Sequence, residues 1–328
     1  MLMRAAVALL TLFAGFAAAE TPSPKVLELS VEIPPLESYT PLPKEDAAFN
    51  AQIAKLVQDA KLDEMTPAAD NPDNEDEWSS VCVVDLSDIR NPRVAGWKAN
   101  NYIYPASTYK LYVLGEILRQ ESAGMVSLDD RIEVEAHNVR DGDRLSAGDK
   151  PTLAEVLRLM LTYSDNTAAN VAIDVATRPR INGLLAALDI EGSKVTRKFL
   201  PRSREDEGYA DVPGTTSNAH DFATFLWATE TAAIGGGRTR GLIKAYMAGD
   251  TTAPDRMRAG LPYMATLYSK TGTWNIFTSQ VGIIEDGPVR YIACVLTPYE
   301  SGVANPRIAK FMRGLHELMV SGETEPGQ

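Results

Sequence analysis

Strand patterns lie toward the two ends of this chain's globular part, and helical patterns fill the long stretch between them. Residues 81–86 and about 94–104 alternate as strands joined by a turn at 88–92. Strand patterns return at 264–272, 278–285 and 289–297, and the last two flank Asp286-Gly287, a hairpin signal. From about 105 to 247 apolar residues recur at helical spacing. A helix is predicted over 45–62 with Phe49, Ile53, Leu56 and Val57 on one face, and a closing helix over 306–319 with Ile308, Phe311, Met312 and Leu315 apolar. The simplest arrangement is α/β: one antiparallel sheet made from both ends of the chain, helices on its faces, and an all-helical lobe inserted in the middle.

The 328 residues suffice for one large domain or two modest ones, with 45% hydrophobic and 23% charged residues as in soluble globular chains. A net charge of −12 argues against nucleic acid as a partner. His137, His220 and His316 are scattered, and no His, Cys and carboxylate cluster has metal-ligand spacing, so neither metal nor cofactor is expected. Residues 1–19 read as a signal peptide: Arg4, an apolar run from Ala5 to Phe16, then Ala17-Ala18-Ala19 as the cleavage site. That predicts an exported protein, periplasmic or secreted, with no membrane attachment after cleavage. Residues 20–44 form a proline-rich extension in which Leu27, Leu29, Val31 and Ile33 alternate as in a strand. The domain is expected over 45–320, followed by a short tail, 321–328. The acidic run 70–77 reads as a solvated loop.

Three short motifs carry chemistry. In Tyr104-Pro-Ala-Ser-Thr-Tyr-Lys110, Ser107 and Lys110 are three apart, one turn on a helix face. Leu111, Val113, Leu114, Ile117 and Leu118 follow, so this helix should be buried nearly all round. Burial disfavours the ammonium form of Lys110 and makes a neutral amine available beside a serine hydroxyl, a base beside a nucleophile. By chance alone Ser-x-x-Lys arises about once in a chain of this length. A helix is predicted over 152–163, started by a Thr152/Glu155 capping box, and it runs into Tyr163-Ser-Asp-Asn166. Ser164 or Asp165 there could simply cap the next helix. Otherwise Ser164 can relay a proton and Asn166 can bind a carbonyl or a lysine. Ser269-Lys-Thr-Gly-Thr273 ends a strand. Lys270 and Thr271 suit a carboxylate, Gly272 admits close approach, and the Thr273 N–H can serve an oxyanion hole.

The motifs follow one another at spacings of 57 residues (Ser107 to Ser164) and 106 residues (Ser164 to Lys270). In this order the chain resembles the penicillin-recognising serine hydrolases, most closely the class A β-lactamases. The resemblance runs from about residue 45 to 319, and Tyr163-Ser-Asp-Asn-Thr-Ala-Ala-Asn170 is its most specific stretch. It implies a monomer acting on a β-lactam or a peptidoglycan-type acyl-D-Ala-D-Ala substrate. Ser107 would be acylated, Lys110 would be the base, and Ser164 would pass the proton to the leaving nitrogen. Asn166 would hold the acyl side chain, Lys270 and Thr271 the carboxylate, and the N–H groups of Ser107 and Thr273 the oxyanion. It also implies that the strands bearing Cys82 and Cys294 are neighbours.

The sequence departs from the family in the loop that carries a deacylating glutamate. That loop falls at about 197–216, and aligning Val195-Thr-Arg197 puts Arg202 near the glutamate position. Glu205, Asp206 and Glu207 are the candidate deacylation bases, against a reading as solvent-facing loop charge. No arginine follows Lys270 on its strand, so Arg307 is the candidate to help hold a carboxylate. A penicillin-binding D,D-peptidase shares all three motifs, and a sensor that is acylated without turnover is the alternative from another class.

Overall fold

In the computed structural model the described residues are 36, 39–70 and 77–322. The signal segment 1–19, the alternating Leu27 to Ile33 and most of the acidic run lie outside them. The strands are β1 (Ser80–Asp85), β2 (Arg93–Trp97), β3 (Thr266–Trp274), β4 (Phe277–Asp286) and β5 (Val289–Thr297). They form one antiparallel sheet in the order β2-β1-β5-β4-β3. Strands from before and after the helical stretch therefore join in one sheet, as the strand pattern predicts, and they meet at the β1–β5 pair, as the family resemblance implies. Cys82 lies directly opposite Cys294 in that pair, and both are buried free thiols. Burial pushes both thiols above their ordinary range, which keeps them protonated and unreactive.

The helices are α1 (Ala47–Asp59), α2 (Lys110–Ser122), α3 (Leu153–Thr162), α4 (Asn166–Ala176), α5 (Arg178–Ala187), α6 (Ala219–Glu230), α7 (Gly236–Met247) and α8 (Ser301–Ser321). Period-two alternation divides the sheet residues between two cores. Val81, Val83, Ala293 and Val295 pack with Phe49 and Ile53 of α1 and Ile308 and Phe311 of α8. Cys82, Val84, Ile283 and Cys294 face the core of the helical lobe. Through the middle of that lobe runs α2, with every residue from Lys110 to Gln120 buried. Its one acidic side chain in that stretch, Glu116, accepts from Arg119 at 2.9 Å and Gln120 at 2.8 Å. A buried charge is tolerable when paired in this way.

Two boundaries differ from the sequence reading. β2 ends at Trp97 rather than near 104, because Lys98 turns the chain at φ +43° and Ile103 makes only an isolated bridge to Ser217. α8 begins at Ser301, before Pro306, which lies inside the helix. The carbonyl that would have accepted from residue 306 belongs to Gly302, at an exposed position, where water can satisfy it.

Candidate active site

A 3-10 turn, Ala106–Tyr109, feeds directly into α2 and carries Ser107. Pro105 sits just before this turn rather than in the first helical turn. Ala106 is held at φ +49°, a conformation costing a residue with a Cβ roughly 1–3 kcal/mol. The surrounding bonds enforce it. The Pro105 carbonyl accepts from Thr108 Oγ1 at 2.6 Å and from Ser279 Oγ, on β4, at 2.7 Å. Ser107 is half-buried and lines a cleft of about 880 Å³.

Lys110 is fully buried one turn further on. Its Nζ lies 2.6 Å from the Ser164 carbonyl, 2.9 Å from Asn166 Oδ1 and 3.2 Å from Ser164 Oγ. Its Nζ donates toward all three of these oxygens. Burial first, then the charge of Lys270, push its pKa well below the ordinary lysine range, opposed by Asp143, Asp165 and Asp250.

The junction between α3 and α4 explains why three polar residues follow one another. Thr152 Oγ1 caps α3 by accepting from Glu155 N at 3.2 Å. Asp165 is the true N-cap of α4, accepting from Ala168 N at 2.8 Å through one oxygen and from Arg144 N at 2.7 Å through the other. Its carboxylate is consumed by the fold. Ser164 is held at φ +55°, and with Asn166 it turns its side chain to Lys110 instead.

β3 is the edge strand of the sheet on the other side of Ser107. The Thr271 N–H does not bond β4; it donates to Asp250 Oδ2 at 2.6 Å. Residues two apart point the same way, so the Thr273 N–H also faces outward from the sheet edge, toward the cleft. Lys270 Nζ is fully buried, 3.5 Å from Asp250 Oδ2 and 3.0 Å from the Thr271 carbonyl. Burial lowers its pKa, and Asp250 opposes the shift. Burial works against the Asp250 charge too, yet Lys270 and the donors from Thr252 and Thr271 hold that carboxyl below its usual range. Asp250 was not foreseen from the sequence, since it stands in an irregular loop after α7.

Gly272 is required by the closeness of β3 to the Ser107 turn. A Cβ there would lie 2.5 Å from Ser279 Oγ, 2.7 Å from the Pro105 carbonyl and 3.0 Å from Ser107 N. Two of these are backbone atoms that cannot swing aside. Gly272→Ala is expected to cost about 1–3 kcal/mol in stability by overpacking. It should also slow reaction at Ser107, because the turn must shift. Thermal melting and a labelling rate measure the two effects; a variant unchanged in both contradicts this reading.

Arg256 replaces Arg307 as the arginine near the strand. Arg307 faces away, donating to the Lys61 carbonyl at 2.6 Å and to Glu64 at 2.5 Å. Arg256 is buried behind β3, donating to Thr273 Oγ1 at 2.9 Å, the Ser279 carbonyl at 2.8 Å and Asn305 Oδ1 at 2.8 Å. It precedes Lys270 in the chain, in a stretch with no strand signal, which is why the sequence reading passed it over.

The loop over the cleft departs furthest from expectation. Glu205 neither faces solvent nor reaches Ser107. Its side chain is buried, bonded to Arg178 and accepting from Lys198 N at 2.9 Å. Asp206 pairs with Arg178 at 2.8 Å and Lys198 at 3.1 Å, while Glu207 is exposed. These acids latch the loop to α4 and α5, because Lys198 also pairs with Asp174 at 2.7 Å. Nor does Arg202 stand against Lys110; it is exposed on a 3-10 turn. The loop residue at Lys110 is Phe199. Its ring centroid is 4.3 Å from Lys110 Nζ, and it stacks on Tyr109 with centroids 4.6 Å apart. Asn170 Oδ1 fixes it by accepting from Phe199 N at 2.7 Å.

Comparisons with known proteins identify the family and the fold. The model of the β-lactamase enzyme family matches residues 67–319. The solved structure of PBP-A superposes with a TM-score of 0.70 at 21% identity, covering 85% of this chain and 99% of that one. A β-lactamase from Sphaerobacter thermophilus DSM 20745 gives 0.68 at 20% identity, covering 84% and 99%. An ancestral class A β-lactamase gives 0.66 at 22% identity, covering 82% and 98%. The sheet order and the inserted helical lobe are those of the class A β-lactamase fold, and the chain belongs to the β-lactamase enzyme family.

Proposed function

We propose that this chain is an exported serine hydrolase whose Ser107 is acylated by β-lactams or acyl-D-Ala-D-Ala-like peptides, and whose acyl-enzyme is released slowly. Export rests on the signal-like pattern of residues 1–19. In acylation Ser107 Oγ attacks the carbonyl carbon while its proton passes to neutral Lys110 Nζ. The N–H groups of Ser107 and Thr273 receive the oxyanion. As the C–N bond breaks, a proton returns from Lys110 through Ser164 Oγ to the leaving nitrogen. Asn166 holds the acyl amide, and Lys270, Thr271 and Arg256 supply positive charge for the substrate carboxylate.

Slow release is carried by one observation: Lys110 is covered on the loop side by the Phe199 ring, where a water-activating carboxylate would serve. Glu205 and Asp206 are held by Arg178 and Lys198. Phenylalanine neither accepts a proton nor orients a water. The penicillin-binding D,D-peptidase reading is favoured by the same observation, and a mutant of PBP-A has been seen as an acyl-enzyme complex with penicillin G. Stopped-flow mixing with nitrocefin tests the proposal. A burst of one equivalent per protein followed by a slow steady rate is expected; steady turnover of hundreds per second with no burst contradicts it.

A further inference from the structure

The cleft beyond Ser107 is more positive than its surroundings require. The chain carries a net charge of −12, yet among the described residues lining the cleft Arg140, Arg197, Lys198 and Arg202 meet one carboxylate, Glu77. Lys198 is neutralised by Asp174 and Asp206. Arg140, Arg197 and Arg202 form no ion pair with a carboxylate among the described residues. Arg140 is positioned by neutral backbone: its guanidinium donates to the Phe199 carbonyl at 3.0 Å, and its own N–H donates to Thr167 Oγ1 at 2.8 Å. Arg197 donates to the Val212 carbonyl, and its Nε is buried with no hydrogen-bond partner. Arg202 is exposed on the loop. The contrast is Arg178 under the same loop, which takes two carboxylates, Glu205 and Asp206.

Carbonyls fix a guanidinium in place without cancelling its charge, and a low-dielectric wall strengthens its field. Arg140 is anchored beside α4 and Phe199, on the Asn166 side of Ser107 and away from Lys270 on β3. Both Arg140 and Arg197 act on the Tyr104 hydroxyl at the cleft wall, opposing the rise that burial imposes on it. The positive charge therefore stands on the acyl side, separate from the carboxylate site at Lys270 and Thr271.

We propose that the acyl side of this cleft selects substrates carrying a second anionic group, a carboxylate on the acyl portion, held by Arg140, Arg197 and Arg202. This rests on the reading that Ser107 is the acylated residue. The acyl donor is then a dianion, with one carboxylate at each end of the scissile bond.

Benzylpenicillin, carbenicillin and ampicillin share one nucleus and differ at one acyl carbon, which bears hydrogen, a carboxylate or an ammonium. In the wild type, carbenicillin is expected to acylate at least ~10-fold faster than ampicillin at low salt, with benzylpenicillin between them. The ratio should shrink as salt approaches ~0.5 M, where the Debye length falls to a few ångströms. It should approach one in Arg140→Gln/Arg202→Gln and in Arg197→Gln; the first pair keeps the test alive if the second variant folds poorly. Binding of the same three compounds to Ser107→Ala, followed by Trp274 fluorescence, should rank them alike. If Ser107 is never labelled but the ranking persists, the acylation reading fails and the anion subsite stands. Labelling at one common rate leaves acylation intact and overturns the subsite. So does a preference that survives all the arginine variants, or the absence of any preference in both measurements.

Discussion

Replacing Phe199 with glutamate should shorten the life of the acyl-enzyme by ~10²–10⁴-fold, the usual gain from a positioned general base. That range corresponds to about 3–5 kcal/mol off the barrier to hydrolysis. The site is prepared for it. The Phe199 backbone is fixed by Asn170, and its ring centroid is only 4.3 Å from Lys110 Nζ. A carboxylate at that position would lie within reach of Lys110 and of a water beside the ester at Ser107. The substitution also removes the stack on Tyr109 and buries a charge, so a lower melting temperature is expected. Single-turnover decay of a preformed acyl-enzyme separates the two effects, because it counts only molecules already folded and acylated. An unchanged decay rate would show that Phe199 does not occupy the position of the missing base.

Ser107→Ala should abolish covalent labelling, and Lys110→Ala should slow it by ~10²–10⁴-fold. The pH profile gives Lys110 a signature that a structural role would lack. Acylation needs the neutral amine, which is present above its pKa and lost as pH falls through it. Burial, with help from Lys270, moves that pKa well below the ordinary lysine range. Acylation should therefore stay fast far below the pH at which a free lysine is neutral, then fall with unit slope. In Lys110→Ala that acidic limb should vanish. Labelling of Ser107→Ala at the wild-type rate, or an acidic limb that persists without Lys110, contradicts these assignments.

What was legible in the sequence follows from how locally each signal is written. The strands announce themselves by alternation, and a sheet made from both ends follows from their places in the chain, whereas the β1–β5 pairing comes only from the family resemblance. Lys110, Ser164 and Asn166 can be read together because a helix junction turns two of them to the first, and Ser107 lies one turn before Lys110. Lys270 and Thr273 are legible because they flank a glycine at a strand end, which the sequence marks as open to a ligand; the structure shows Gly272 packed instead against the Ser107 turn. Asp250, Arg256 and Phe199 were missed for a common reason. Each stands in irregular chain, and its role is set by what tertiary packing puts beside it. Glu205 shows the same effect in reverse. Its neighbours in sequence suggest a solvated acidic run, whereas Arg178 and Lys198 draw it inward. An ion pair with a distant arginine has no local signature, so the charge run misled.

Acylation without efficient release is the centre of this account, and intact-mass spectrometry over time tests it most directly. After mixing with excess benzylpenicillin and rapid removal of the free drug, the protein should carry one penicillin, located on the peptide containing Ser107. That adduct should decay over minutes or longer. Protein that returns to its unmodified mass within the first second, or a penicillin on any other residue, would contradict the account.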